Sequence, residues 1–278
     1  MTINTNEVAD RLIEAKRTGV PVETLIGEGE PGDTRLDALR VAQEVVRRRE
    51  LAGDRQVGFK LGNIAKAMQD KFGVDEPDYG PLLASQFYSE NLRISEKEFI
   101  EPFVELEPAF VLKKDLGGST VTPFEVVSAT DFVLPAIEII DSRVKNWNIG
   151  ILDTIADGGS IGGVITSAKP RKLSELDLAN THGEIRYNGK VVASGGTHDE
   201  DHYNGEVVAS GNTSAIYGNP VSAIAWLCRR VAEYGITFKA GDLILPGSCL
   251  AAERLYPGTQ VTGTFAGWGD VSFEYAAN

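Results

Sequence analysis

Glu105 and Glu107 flank Leu106 inside an apolar stretch, with Pro102-Phe103-Val104 before them and Phe110-Val111-Leu112 after. Side chains alternate faces along a strand, so the two carboxylates share one side. Like charges on one apolar face repel unless a cation lies between them, and hard divalent cations favour such oxygen ligands. A solvent-facing strand edge would carry the same pair. Glu138 lies inside a second apolar run, Leu134-Pro135-Ala136-Ile137-Glu138-Ile139-Ile140-Asp141. A charge there needs a ligand, a cationic partner or a raised pKa. Arg143 is one candidate partner, and a place as third metal ligand is the other reading.

Lys60 lies in Val57-Gly58-Phe59-Lys60-Leu61-Gly62, between apolar residues and glycines that let a ligand approach the backbone. A lysine so placed pairs with a substrate carboxylate or moves a proton, unless it simply faces solvent. The segment Asp153–Gly163 is rich in glycine and is read as a loop after an apolar strand, able to turn backbone N–H groups toward an anion. It has no phosphate-loop lysine and no dinucleotide fingerprint. Ser160, within it, has no histidine and aspartate context for a nucleophilic triad.

These residues need strands and turns to hold them. Apolar spacing predicts a helix over Asn6–Arg17 and a second from the cap at Asp33-Thr34 to about Leu51, closed by Gly53. Strands are expected at Gln56–Gly62, Val104–Leu112 and Ala136–Asp141. Short helices are expected at Ala65–Phe72 and, with Pro123 in its first turn, at Thr122–Val133. Pro77-Asp78-Tyr79-Gly80 is a turn cluster. The later half reads as strands broken by turns at Asn188-Gly189, Asn204-Gly205, Pro257-Gly258 and Gly267–Gly269, with one helix near Pro220–Tyr234. The division expected is a helical lead with the first strands over 1–80 and a catalytic domain over 81–278.

One repeat stands out. Tyr187-Asn188-Gly189-Lys190-Val191-Val192-Ala193-Ser194-Gly195 returns as Tyr203-Asn204-Gly205-Glu206-Val207-Val208-Ala209-Ser210-Gly211. A single duplication is no solenoid, and it predicts an extra hairpin near 187–211. Between the copies lie His198, Asp199, Glu200, Asp201 and His202, read as a solvated polar loop in preference to a metal site.

The net charge of −13 over 278 residues leaves no basic face for nucleic acid. No apolar run is long enough to span a bilayer, and the N-terminus has no signal pattern. Two cysteines, Cys228 in a helical apolar pattern and Cys249, make no disulfide framework. The expectation is a cytoplasmic enzyme without nucleic-acid or membrane partners.

Taken in order, Gly58–Gly62, Gly73–Gly80, Val104–Phe110, Leu134–Arg143, Asp153–Ser160, Asn204–Pro220 and Ala240–Cys249 resemble the 2-hydroxypenta-2,4-dienoate (2-keto-4-pentenoate) hydratases of the fumarylacetoacetate hydrolase superfamily. The resemblance runs from about residue 7 to 275. It implies an α/β (α+β) fold, a mixed β-sandwich or roll with flanking helices. It implies Mg²⁺ or Mn²⁺ held by Glu105, Glu107 and Glu138, with Lys60, Asp78 and Ser160 lining the pocket as catalytic candidates. Lys60, Asp78 or a water at the metal would move protons. It further implies a homo-oligomer acting on a small 2-oxo or enol acid by hydration. Decarboxylation, tautomerisation or carbon–carbon hydrolysis of a bulkier 2-oxo or β-keto acid is the alternative.

The departures from the family pattern point at the substrate pocket. Phe103 stands where an arginine is usual, and Asn63-Ile64 follows Lys60-Leu61-Gly62 where a hydroxyl residue is usual. Phe72 replaces leucine, Leu250 replaces a polar residue after Gly247-Ser248-Cys249, and Asp157-Gly158-Gly159-Ser160 alters the serine loop. Pro108 is also unusual. Gly62, Asn63, Phe72, Phe103 and Leu250 are therefore the expected substrate-contacting positions, around a larger or less polar substrate.

Overall fold

Thr34 starts the longer of two N-terminal helices through a reciprocal cap with Asp37, and Asn4 caps the shorter one by accepting from the Glu7 N–H. These are α1 (Thr5–Thr18) and α2 (Arg35–Leu51), which pack on each other through Val8, Leu12, Leu39 and Val41. The structure, a computed structural model, describes residues 3–26, 34–64, 69, 76–195, 201–203, 206–209 and 213–277, with the backbone alone for 201–203 and 206–209. The expected helix at Ala65–Phe72, including the candidate Phe72, falls almost wholly outside the described residues, as do His198 and the Asn204-Gly205 turn.

The strands are β1 (Gln56–Gly62), β2 (Asp78–Leu83), β3 (Phe87–Ser89), β4 (Arg93–Ser95), β5 (Phe103–Leu112), β6 (Thr130–Ile140), β7 (Ile161–Thr166), β8 (Gly183–Tyr187), β9 (Lys190–Gly195), β10 (Asp201–Tyr203), β11 (Glu206–Ala209), β12 (Leu243–Leu245), β13 (Glu253–Arg254), β14 (Thr259–Phe265) and β15 (Gly269–Ala276). The larger sheet runs β2-β1-β12-β5-β6-β7-β3, with β13 added on β5. The smaller runs β4-β15-β14-β8-β9. Strands β1 and β2 thus join the same sheet as β5 and β12.

Alternation along β5 and β6 decides what each face does. Val104, Leu106, Phe110, Ile137 and Ile139 face the smaller sheet and pack with Ile185, Val261, Phe265 and Phe273. The opposite face carries Ala109, Leu134 and Ala136, which meet Leu82, Val164 and Leu245 from other strands of the same sheet. The larger sheet therefore curls around a second, smaller core, and the two sheets stack as a mixed β-sandwich with helices outside. This is the expected α/β (α+β) architecture.

Further along the described residues come the α-helices α3 (Pro123–Ala129), α4 (Ile151–Ala156) and α5 (Pro220–Ala232). α3 stops four residues short of the expectation. Thr130-Asp131-Phe132-Val133 are β-branched or aromatic in the main, and they gain ladder partners on β5, with Leu112 opposite Thr130 and Phe110 opposite Val133. The apolar run before the glycine-rich loop is helix α4, not a strand. Its N-terminus is fixed by Asp153, which accepts from Gly150 N, and also from Leu25 N and Ile26 N of the lead. Gly162 and Gly163 are in β7 and outside the loop. The duplication gives two hairpins. Asn188 and Gly189 (φ 51° and 80°) turn β8 into β9, and Tyr203 pairs with Glu206 where β10 meets β11. Among the described residues no helix is long and apolar enough to cross a membrane.

Candidate metal centre

Glu105 and Glu138 face each other directly in the β5–β6 register, and Glu107 follows one step along β5 on the same side. One carboxylate oxygen from each lies within 4.8 Å of the others. All three sit on the inner face of the curl. Glu107 and Glu138 are fully buried, and Glu105 is partly exposed toward a cavity of about 410 Å³.

Lys60 enters this cluster from β1, where Phe59 and Leu61 point into the main core and the lysine points the other way. Its Nζ lies 3.2 Å from Glu138 Oε1 and 4.0 Å from Asp78 Oδ1, and donates to Gly159 O at 3.0 Å. Burial disfavours the ammonium, but the charges of Glu138, Asp78, Glu105 and Glu107 together outweigh it and hold the lysine above its usual range. Lys60 is a fixed cation here. Arg143, the candidate salt-bridge partner of Glu138, lies elsewhere. Its guanidinium pairs with Asp157 and donates to the carbonyls of Asp141 and Ile161. Glu138 and Arg143 are on opposite sides of Ile139-Ile140, where strand β6 ends, and the chain turns the arginine toward the serine loop.

Gly62 and Gly159 make room for the lysine. A Cβ on Gly62 would lie 2.3 Å from Asp78 Oδ1, and one on Gly159 would lie 2.6 Å from Lys60 Cδ. Gly158, Gly159 and Ser160 all have positive φ (64°, 71° and 53°), which folds the loop back over β1. Ser160 Oγ donates to Asp157 Oδ2 at 3.1 Å and lines the cavity. Asp78 takes the Asn63 amide on Oδ2 at 2.9 Å, leaving Oδ1 toward Lys60.

The donor set fits a hard divalent cation. Glu107 Oε1, both oxygens of Glu138 and Asp78 Oδ1 are buried with no hydrogen-bond partner. Glu107 Oε2 accepts from Gly247 N at 2.7 Å, and Glu138 Oε1 has the Lys60 ammonium as its ion-pair partner. Burial, and then the charge of Glu138, pushes the Glu105 carboxyl up to about 8 and Glu107 well above the ordinary carboxylate range. Such a cluster must take up protons or a cation, and oxygen-only donors around a dication answer it directly.

Of the sequence-derived positions, Lys60, Gly62, Asn63, Asp78, Phe103, Glu105 and Ser160 line one cavity. Leu250 does not. It packs in the main core, while Ala252 and Arg254, two and four residues further on, reach the cavity. Glu101, Trp147 and Arg254 were not singled out by sequence. Arg254 becomes a neighbour of Phe103 only through the β13–β5 pairing. Cys249 is buried and its thiol is pushed up to about 12 by burial, so it is inert.

No family model matches the chain. It is 37% identical to the TodF product hydratase of Pseudomonas putida (strain F1) over 274 residues, 97% of this chain and 94% of that protein. It is 35% identical to the 2-hydroxyhexa-2,4-dienoate hydratase of Comamonas testosteroni over 95% of each. The chain belongs to the 2-keto-4-pentenoate hydratase family. It shares its fold with a putative fumarylacetoacetate hydrolase family protein from Yersinia pestis CO92, which superposes with a TM-score of 0.53 at 13% identity, covering 79% of this chain and 93% of that one. The 4-oxalocrotonate decarboxylase from Pseudomonas putida G7, in complex with magnesium and adipate, superposes with a TM-score of 0.88 at 29% identity, covering 98% of this chain and 97% of that one. For this hydratase-family chain, an enzyme using a divalent metal on a small molecule follows.

Proposed function

We propose that this protein adds water to a 2-hydroxy-2,4-dienoate and releases a 4-hydroxy-2-oxo acid, with Mg²⁺ or Mn²⁺ held by Glu105, Glu107 and Glu138. The observation that carries the reading is the set of buried oxygens on Glu107 and Glu138 that no hydrogen bond satisfies, with the Lys60 ammonium as the ion-pair partner of Glu138 Oε1, in a chain of this family. Bound there, the ion supplies Lewis-acid stabilisation for the negative charge of an enolate.

The chain's own residues do the rest. An ammonium has three donors. Lys60 directs one at Gly159 O and one toward Glu138, which leaves one for a substrate oxygen. Held between Gly159 O and Glu138 at the cavity wall, Lys60 is placed to orient the substrate and stabilise its oxygen anions. Asp78 Oδ1, buried at the cavity wall with no hydrogen bond and 4.0 Å from Lys60 Nζ, is the group placed to accept the proton of the 2-hydroxyl. Ser160 donates to Asp157, so its lone pairs remain available to a substrate hydroxyl or water. The dienol loses its hydroxyl proton and gains one at C5. Water then adds its oxygen to C4 and a proton to C3.

The test is to supply freshly generated 2-hydroxypenta-2,4-dienoate to the Mg²⁺-loaded protein and identify the product by mass spectrometry. Gain of water without cleavage is expected. Release of carbon dioxide from an added dicarboxylic dienoate would instead favour the decarboxylase reading, for which the likeness to the P. putida G7 enzyme speaks. The buried, unpaired Cys228 and Cys249 support a reducing cytoplasm as its setting. The family resemblance supports a homo-oligomer, which light scattering on the purified chain tests.

A further inference from the structure

The cavity is chemically two-sided. Its inner end holds Lys60, Asp78 and Glu105, while its mouth is formed by Glu101, Phe103, Trp147 and Arg254. Lys60 is 3% exposed and Arg254 49%, which sets the direction from inside to outside. An acid held by its carboxylate and 2-oxygen at the inner end must send its far carbon toward the mouth.

The mouth is built around two aromatic rings. Phe103 and Trp147 meet edge-on, centroids 5.4 Å apart at 88°. Trp147 is held there at a cost. Asn146 and Trp147 both have left-handed backbone conformations, φ 57° and 54°, and a bulky aromatic residue adopts that region only when its surroundings impose it. The indole N–H donates to Glu101 O at 3.0 Å. Arg254 does not leave a free positive charge. Its guanidinium lies over the Phe103 ring at 5.8 Å and the Tyr256 ring at 5.9 Å, and pairs with Glu101 at 3.6 Å. The mouth is thus charge-balanced and apolar-walled, with Ile140 and Ile149 completing it.

We infer that Phe103 and Trp147 form a selectivity wall for an apolar substituent on the far carbon of the substrate, and that Glu101 disfavours a second carboxylate there. The inference rests on the proposed orientation of a 2-oxo or enol acid in this site. A methylene buried against the wall gains transfer free energy, whereas a carboxylate loses hydration and meets Glu101 as readily as Arg254.

Binding tests this separately from turnover. The Mg²⁺-loaded full chain is titrated calorimetrically with 2-oxopentanoate, 2-oxohexanoate, 2-oxoheptanoate and 2-oxoadipate, while turnover of the matching dienoates is followed in parallel. Affinity is expected to rise about fourfold per methylene, with 2-oxoadipate weaker than 2-oxohexanoate by about tenfold or more. In Trp147→Ala the gain per methylene should collapse toward unity, and Trp147→Phe should restore most of it. Glu101→Gln should narrow the gap to 2-oxoadipate. Equal or tighter binding of 2-oxoadipate by the wild type, or an unchanged methylene gain in Trp147→Ala, overturns the wall. Intact selectivity without turnover of any dienoate supports the wall and overturns the hydratase reading alone.

Discussion

Lys60 Nζ stands 3.2 Å from Glu138 Oε1 with both side chains buried, and a chain from β1 thereby closes a cluster whose other members come from β5 and β6. With Glu105, Glu107, Glu138 and Asp78 ionised against Lys60, the charge is −4 + 1 = −3, so a dication leaves the site near −1. The lysine is needed for charge and position together.

Lys60→Met removes the ammonium while keeping an apolar stem of similar length. Turnover is expected to fall about 100-fold or more, the scale seen when one preorganised electrostatic donor is lost. Metal affinity should hold or increase, because a positive charge beside the cation has gone. Steady-state kinetics and metal titration of the same preparation check both, and unchanged turnover rejects the role given to Lys60.

Glu107→Gln separates metal binding from folding. The glutamine carbonyl can keep the bond from Gly247 N, while a buried carboxyl that resists ionisation gives way to an amide that carries no charge in any state. The metal-free variant should be as stable as the wild type or more so. Its metal affinity should drop about tenfold or more, so that Mg²⁺ raises Tm less than in the wild type. Thermal denaturation with and without metal measures both quantities. A destabilised apo variant with undiminished metal stabilisation would contradict the ligand assignment.

Proton linkage gives a second handle on the same cluster. In the metal-free fold the Glu105 carboxyl is pushed up to about 8, chiefly by burial and then by Glu138. The folded state therefore binds a proton that the unfolded state has lost, and its contribution to stability falls as pH rises from the ordinary carboxylate range toward about 8. Metal saturation should flatten that decline. Metal binding must displace the proton, so affinity is expected to increase with pH up to about 8, with about one proton or more released per ion. Calorimetry in buffers of different ionisation enthalpy counts those protons, and release of none at pH 7 would argue against the protonated cluster.

That Glu105 and Glu107 share a face was legible because alternation along a strand needs no tertiary knowledge, while the place of Glu138 and Lys60 beside them, like the two-layer fold, came from the family resemblance. The partner of Glu138 was not legible. Arg143 is nearer in sequence, but strand pairing sets β12 and then β1 beside β5, and Lys60 arrives from 78 residues away. Helix α4 was read as the end of a strand and the start of a loop because Ile151-Leu152-Asp153-Thr154-Ile155-Ala156 is too short for its period to show, and the caps from Asp153 reach across to Leu25 and Ile26. Trp147 and Arg254 were missed for a similar reason. One sits on an irregular loop and the other on a two-residue strand, and only folding brings them to Phe103.

Gly159 offers a way to move Lys60 without altering any charge. The glycine has φ 71°, and an added Cβ would lie 2.6 Å from Lys60 Cδ and 3.5 Å from Gly80 N. Gly159→Ala carries a backbone cost of about 1–2 kcal/mol for an L-residue in the left-handed region. The larger effect is on the site, since the stem must shift away from Gly159 while its Nζ is held by Gly159 O and Glu138. The variant is expected to fold, to bind metal within about threefold of wild type because the glutamates are untouched, and to lose about tenfold or more in kcat. Urea denaturation, metal titration and single-turnover kinetics separate the three quantities. A variant with full kcat would show that the lysine tolerates displacement and that its position is not what the glycine loop protects.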